Sequence, residues 1–240
     1  MLSFQNISVS YGGPPVIRNV SGAVREGEVI AVLGINGAGK TTLLHSLIGF
    51  NPPFTGIVTL GDTPIGGLAS YQISRRGVAL VPQGRRIFQS LSVRENLALA
   101  ERYGKQGQWT MAAVLDLFPR LRERMHHKGN QLSGGEQQML AWGRALLINP
   151  SFILMDEPTE GLAPHFVRIL AELIPKLKAA GIGILLAEQN IEFACNAADR
   201  LLILVNGQFT REFSRTEFSR EDVRGERSVT WLASMVQGIA

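Results

Sequence analysis

The sequence predicts an α/β protein built on a mostly parallel sheet, and three observations lead there. Short apolar runs ("EVIAVL", "VALVP", "FILMD", "IGILLAE", "LLILV") alternate with segments of helical periodicity. The runs are apolar throughout rather than at every second residue, as strands covered on both faces require. Several end abruptly in polar residues, and strand ends of that kind are where α/β sheets build sites.

The elements follow in order. "LSFQNISV", "EVIAVL" and "GIVTL" read as strands, punctuated by Gly and Pro. A helix is expected after Gly39, with Leu43, Leu44 and Leu47 on its apolar face. "VALVP" at 78–82 is a short buried strand. From Ser92 to about Leu147 the pattern is helical, with Gly, Pro and Asn interruptions, so a helical insertion is placed at about 84–150 of a single domain spanning 1–240. From Phe152 the alternation resumes: "FILMD", a helix from Pro164, "IGILLAE", a helix from Asn190, and "LLILV". The polar tail ends in "VTWLASMV", which reads as a short terminal helix.

The composition bounds the function. A chain of 240 residues, 45% hydrophobic and 18% charged, buries a substantial core. A net charge of +4 is too small to argue nucleic acid and suits an anionic ligand or a membrane-proximal surface. The lone Cys195 excludes an intramolecular disulfide and a cysteine metal cluster, and points to a reducing compartment. The start "MLSFQNISVSYGG" lacks the pattern of a signal peptide. No apolar stretch reaches a membrane span, so a soluble protein is expected, with any membrane role exercised through a partner.

"GINGAGKTT", residues 34–42, follows a strand directly and opens a helix, which is the context a phosphate-binding P-loop needs. Gly34, Gly37 and Gly39 let the backbone curl so that successive N–H groups point at phosphate oxygens, in a loop whose nucleotide-binding candidates include Asn36 and Ala38. The helix start at Lys40, Thr41 and Thr42 adds unpaired N–H groups. Lys40 supplies a charge for the β/γ-phosphates, and the Thr41 hydroxyl is offered to Mg2+. "FILMDEP", residues 152–158, ends a strand in two carboxylates. Asp156 is expected to hold Mg2+ and Glu157 to act as general base on water. The alternative is an ordinary turn after a strand. "LSGGEQQ", residues 132–138, is a Ser-x-x-Glu capping box, with Ser133 capping and Glu136 reaching back. Its Gly134 and Gly135 expose backbone N–H groups, a second anion site. Since residues 34–42 already cradle one nucleotide, such a helix start is most useful if it faces a nucleotide held by another copy.

"GINGAGKTT", "LSGGEQQ" and "ILMDEP", in this order, resemble the ATP-binding subunit of ABC transporters, over roughly residues 1–213. The resemblance implies a P-loop core with an N-terminal antiparallel β subdomain and a helical subdomain. It also implies a head-to-tail dimer closing on two ATP molecules, each site taking Ser133, Gly134 and Gly135 from the other chain. By position, Tyr11 matches an aromatic that stacks on adenine, the alternative being a strand-end tyrosine packed on the core. Gln83 matches a glutamine that touches Mg2+ or its water, the alternative being a surface loop residue. Arg85, Arg86 and Phe88 fall near the family's groove for a short cytoplasmic helix of the membrane subunit; otherwise they are solvated charges and a core aromatic. Residues 160–163 match a loop that commonly ends in Asp, where this chain has Ala163. Most members end the strand after the carboxylates in a Thr-His-Asp-like tripeptide whose His contacts the γ-phosphate. Here it reads Glu188, Gln189, Asn190, so Gln189 takes the histidine's place, while Asn190 suits a helix cap. The four histidines show no metal spacing, and His126 and His127 read as a solvated basic face.

"LFPRLRER", "GGEQQMLAWGRALL", "EPTEGLAP" and "AEQN" are similar to the ATPase subunit of branched-chain amino acid importers, with urea and short-amide importer ATPases as the alternative. That resemblance implies ATP hydrolysis at the cytoplasmic face of the inner membrane. The implied partners are integral membrane permease subunits, a second ABC ATPase subunit and a periplasmic-type solute-binding protein, with no nucleic acid. Two rival readings compete with this one. A soluble ABC ATPase acting on nucleic acid or ribosomes usually has two cassettes or a long coiled coil, and this chain has one P-loop and no sustained heptads. A regulatory nucleotide-binding module without turnover would not need Lys40, Asp156 and Glu157 together.

Overall fold

In the computed structural model, residues 1–217 and Ser234 are described. Two sheets make up the framework. The first is antiparallel, in the order β2-β1-β4-β5, from β1 (Leu2–Val9), β2 (Ile17–Val24), β4 (Thr55–Leu60) and β5 (Thr63–Pro64). The second has the order β10-β9-β3-β8-β7-β6, from β3 (Val29–Leu33), β6 (Val78–Val81), β7 (Phe152–Asp156), β8 (Gly183–Glu188), β9 (Arg200–Val205) and β10 (Gln208–Ser214). It is parallel except at β10, which turns back on β9.

The central strands are buried on both faces, which is why their sequences are apolar without alternation. Val29, Ala31 and Leu33 of β3 face one core, shared with the helices α6 (Gly134–Leu147), α7 (Pro164–Ala179) and α8 (Ile191–Ala197). Ile30 and Val32 face the other, shared with α1 (Lys40–Leu47) and the antiparallel sheet through Phe4 and Ile7. The expected helix after Gly39 is α1, and Leu43, Leu44 and Leu47 are wholly buried in it.

Within 84–150 lie α3 (Val93–Tyr103), α4 (Met111–Leu117), α5 (Pro119–Glu123) and α6; α2 (Ser70–Arg75) precedes them. Asn96, wholly buried, ties down the segment before α3, accepting from the Phe88 N–H and donating to the carbonyls of Phe88, Leu91 and Ser92. The terminal helix expected at 229–236 lies outside the described residues, Ser234 apart.

The strand order positions the site. β3, β8, β7 and β6 are parallel neighbours, paired at their C-terminal ends as Leu33 with Glu188, Ala187 with Asp156, and Met155 with Val81. The residues that follow, Gly34, Gln189, Glu157 and Gln83, therefore emerge along one sheet edge, where open α/β sheets hold ligands.

Candidate active site

The loop after β3 needs its glycines for different reasons. Gly37 and Gly39 have φ of 84° and 108°, the left-handed region that glycine enters without strain. Gly34 is required by crowding instead: a Cβ there would lie 2.7 Å from the Leu204 carbonyl. α1 starts at Lys40 without a side-chain cap and without an acid in its first turn, so its first N–H groups stay open to an anion. Asn36 and Gly37 are exposed at the rim; Ala38, Gly39, Lys40 and Thr42 are buried.

Lys40 is 4% exposed. Its ammonium donates to the carbonyls of Gly34 (2.7 Å) and Ile35 (3.1 Å) and lies 2.9 Å from Glu157 Oε1. Glu157 sits in the left-handed region, φ 45°, where a non-glycine residue is strained, and its N–H is held by the Ala187 carbonyl at 2.9 Å. Gln83 Nε2 donates to Glu157 Oε2 (3.3 Å) and to Glu160 Oε2 (2.8 Å). Gln83 is thus part of the carboxylate cluster and not a free surface residue. Glu160 is a partner that the sequence did not reveal: it lies 77 positions from Gln83, and no local spacing signals the contact.

Asp156 is buried at the end of β7, 1% exposed. Its Oδ1 accepts from the Thr41 hydroxyl at 3.1 Å, whereas Oδ2 has no partner among the described residues. Burial pushes its pKa up to about 6; the Thr41 hydrogen bond opposes this, Glu157 adds to it, and Lys40 and Arg86 oppose it. A buried carboxylate with a vacant oxygen, paired with a hydroxyl, suits a divalent cation with oxygen ligands.

Beside these groups a cavity of about 280 Å³ is lined by Glu157, Thr159, Glu160, Glu188, Gln189 and Asn190. The exposed Gln189 side chain has no hydrogen-bond partner among the described residues, so its amide is available to a ligand. Asn190 caps α8, its Oδ1 accepting from the Phe193 N–H at 3.0 Å.

Tyr11 stands 61% exposed, with its hydroxyl 3.3 Å from Thr42 Oγ1. The alternative that it packs into the core is thereby set aside. Ser133 caps α6 in the expected capping box: Glu136 N–H donates to its Oγ at 3.4 Å, and Ser133 N–H donates to Glu136 Oε2 at 2.8 Å. Among the described residues, no hydrogen bond or ion pair joins residues 133–135 to residues 34–42. Gly135 has a reason beyond N–H exposure, since a Cβ there would fall 2.1 Å from the Phe166 ring of α7. Gly134 is crowded only by the tip of Arg85, at 2.7 Å. Arg85 also donates to Gln137 Oε1, which links the segment after β6 to α6.

Arg85, Arg86 and Phe88 line a second, larger cavity of about 660 Å³ with Phe50, Tyr71 and Arg144. Phe88 is 47% exposed and stacks on Arg144, so it is not a core aromatic. His127 departs from the expected solvated face. It is half-buried, and its Nε2 lies 3.1 Å from Arg124, which as a guanidinium donates to it.

Residues 17–160 match the family described as ABC transporter. The chain belongs to that family. Among curated proteins, this ABC ATPase is 42% identical to the high-affinity branched-chain amino acid transport ATP-binding protein BraG of Pseudomonas aeruginosa, over 87% of this chain and 90% of that one. It is 35% identical to the probable branched-chain amino acid transport ATP-binding protein LivF of Archaeoglobus fulgidus, over 87% and 89%. It is also 32% identical to the lipopolysaccharide export system ATP-binding protein LptB of Escherichia coli, over 92% and 93%. Among solved structures, an ATP-binding subunit of an ABC transporter superposes with a TM-score of 0.85 at 28% identity, covering 99% of both chains. A cassette in its ADP conformation gives 0.81 at 27%, covering 97% of this chain and 98% of that one. A dimeric bacterial ABC transporter cassette gives 0.79 at 25%, covering 90% and 99%. The ABC ATPase thus has the family's fold, the mostly parallel sheet with an antiparallel N-terminal sheet, and the family's activity, ATP hydrolysis. Among the described residues no helix is long and apolar enough to cross a membrane.

Proposed function

We propose that this ABC ATPase powers uptake of branched-chain amino acids by hydrolysing ATP at the strand ends of its parallel sheet. The observation that carries the chemistry is the convergence of Lys40, Thr41, Gln83, Asp156, Glu157 and Gln189 from four neighbouring strands. The backbone of residues 34–42 cradles the phosphates while Tyr11 stacks on adenine. Lys40 leaves Glu157 for the β/γ-phosphates. Released, Glu157 accepts the proton of the attacking water. Gln189 donates to the γ-phosphate from the other side of the cavity.

Thr41, Asp156 and Gln83 would hold Mg2+, and the unpartnered Asp156 Oδ2 is an oxygen free to receive it. The chemistry such a cation would supply there is neutralisation of the phosphate charge. Ser133, Gly134 and Gly135 serve the nucleotide of a second ATPase subunit, which explains why they stand apart from the chain's own loop. The cavity beside Arg86, Phe88 and Arg144 is the seat of the permease subunits, and a solute-binding protein completes the complex at the inner membrane. The likeness to BraG and LivF supports the solute class.

The test is reconstitution with the permease and binding protein in vesicles. Leucine, isoleucine or valine should raise ATP hydrolysis and accumulate inside. Stimulation by urea or a short amide instead, with no branched-chain uptake, overturns the solute assignment and leaves the ATPase assignment standing.

A further inference from the structure

A buried carboxylate at the end of β8 makes four hydrogen bonds that the catalytic arrangement does not use. Glu188 is 2% exposed. Its Oε1 accepts from the Thr159 N–H at 3.2 Å and from the Thr159 hydroxyl at 2.7 Å. Its Oε2 accepts from the N–H groups of Gln189 (3.1 Å) and Asn190 (3.2 Å). Thr159 lies in the turn after β7, two positions past Glu157, and Gln189 opens the turn after β8. One side chain therefore straps together the two turns that line the 280 Å³ cavity.

The residue type is demanding. An ionised carboxylate only accepts, at about four lone-pair sites, and here four donors meet it. Burial raises the Glu188 carboxyl, while the bonds from Thr159, Asn190 and Gln189 oppose that rise. A glutamine of the same size would turn an NH2 toward N–H donors and lose the bonds on one side. The Gln189 side chain has no partner of its own among the described residues, so its aim depends on its backbone. That backbone is held by Glu188 on one side and by the Asn190 cap of α8 on the other.

We propose that Glu188 is a positioning residue, which fixes the turn carrying Gln189 against the turn after β7 and so sets the aim of the Gln189 amide. This rests on the reading of Gln189 as a donor to the γ-phosphate. Glu188 touches no substrate and acts through Gln189. A misplacement near 1 Å at a reacting centre costs about a hundredfold in rate, so a lost strap is visible in turnover.

The experiment measures kcat and MgADP affinity for wild type, Glu188→Gln, Thr159→Val, Gln189→Ala and the double variant Glu188→Gln/Gln189→Ala. Glu188→Gln should lower kcat about tenfold or more and leave MgADP affinity within about twofold, because ADP lacks the γ-phosphate. Thr159→Val removes one donor without changing any charge, so it should lower kcat less and in the same direction. The double variant should be no slower than Gln189→Ala by more than about twofold, since the two residues act as one unit.

Two results overturn the proposal. In one, Gln189→Ala is slow while Glu188→Gln and Thr159→Val turn over like wild type. In the other, Glu188→Gln costs the same factor with and without Gln189. Should Gln189→Ala itself turn over like wild type, the failure lies in the reading of Gln189, and the proposal falls with it. Where Glu188→Gln does not fold, Thr159→Val measured with and without Gln189→Ala decides by the same comparison.

Discussion

The Lys40 ammonium lies 2.9 Å from Glu157 Oε1, and the two side chains are only 3% and 8% exposed. The P-loop cation and the candidate base thus hold each other in a dry setting, where removing one partner leaves the other charge uncompensated.

Lys40→Ala should therefore weaken MgATP binding. A charge-assisted hydrogen bond contributes about 1.5–3 kcal/mol, which is about tenfold or more in affinity. Isothermal titration is the check, and an unchanged affinity would remove Lys40 from the phosphate site.

Glu157→Gln keeps size and hydrogen bonding but cannot take a proton. Nucleotide binding should persist while kcat drops about a hundredfold or more. Gel filtration with MgATP should show a dimer accumulating. A variant that hydrolyses ATP at the wild-type rate rejects Glu157 as the base.

Gln189→Ala should lower kcat about ten- to a hundredfold, the cost of one hydrogen bond to a charged oxygen in the transition state. MgADP affinity should hardly change. Gln189→His should retain activity and acquire a pH dependence between pH 6 and 8, since imidazole titrates there and a carboxamide does not. A flat profile for the histidine variant, or full activity for alanine, leaves Asn190 capping α8 as the whole role of this turn.

Mixing Gly134→Asp chains with Lys40→Ala chains tests the second anion site. Gly134 is the position of choice, because only the flexible tip of Arg85 crowds it, whereas a side chain at Gly135 drives into the Phe166 ring. Aspartate at the first position of α6 is also favourable to the helix itself. Each chain alone should be inactive, and the mixture should recover activity through the one intact composite site. Mixed dimers without activity would refute the sharing.

Cys195 is 4% exposed, and burial pushes its thiol up from 9.0 to about 11. Iodoacetamide should leave the folded protein unlabelled at pH 8 and label it quickly in denaturant. The sign of the pH effect follows from the raised folded value. Between pH 9 and 11 the unfolded chain gives up a proton that the folded chain keeps, so this residue's contribution to stability is lost as pH rises. Cys195→Ala should flatten that part of an alkaline melting series; unchanged curvature would assign the loss to other groups.

Much of this was legible in the sequence because it is local. Residues 34–42 carry their geometry in their own glycines, and "FILMD" and "IGILLAE" announce strands buried on both faces. The capping role of Ser133 follows from a spacing of three residues to Glu136, and the cap at Asn190 from its residue type ahead of a helix. What stayed hidden depends on pairing across the sheet. Gln83 meets Glu160 only because β6 lies beside β7, and Glu188 meets Thr159 only because β7 lies beside β8. Glu188 read as part of a tripeptide to be compared with other chains, not as a buried acceptor, because strand pairing order is not written in any one strand. The crowding of Gly135 by Phe166 was concealed in the same way, by the docking of α7 on α6.

A lysine already held by three oxygens is a poor host for free inorganic phosphate. Lys40 gives its ammonium to Gly34, Ile35 and Glu157, and a lone tetrahedral anion must displace Glu157 with a single group's worth of contacts in return. A nucleotide would bring a base for Tyr11 and a chain of phosphates for the loop at once, more contacts than a small anion has to set against the internal carboxylate.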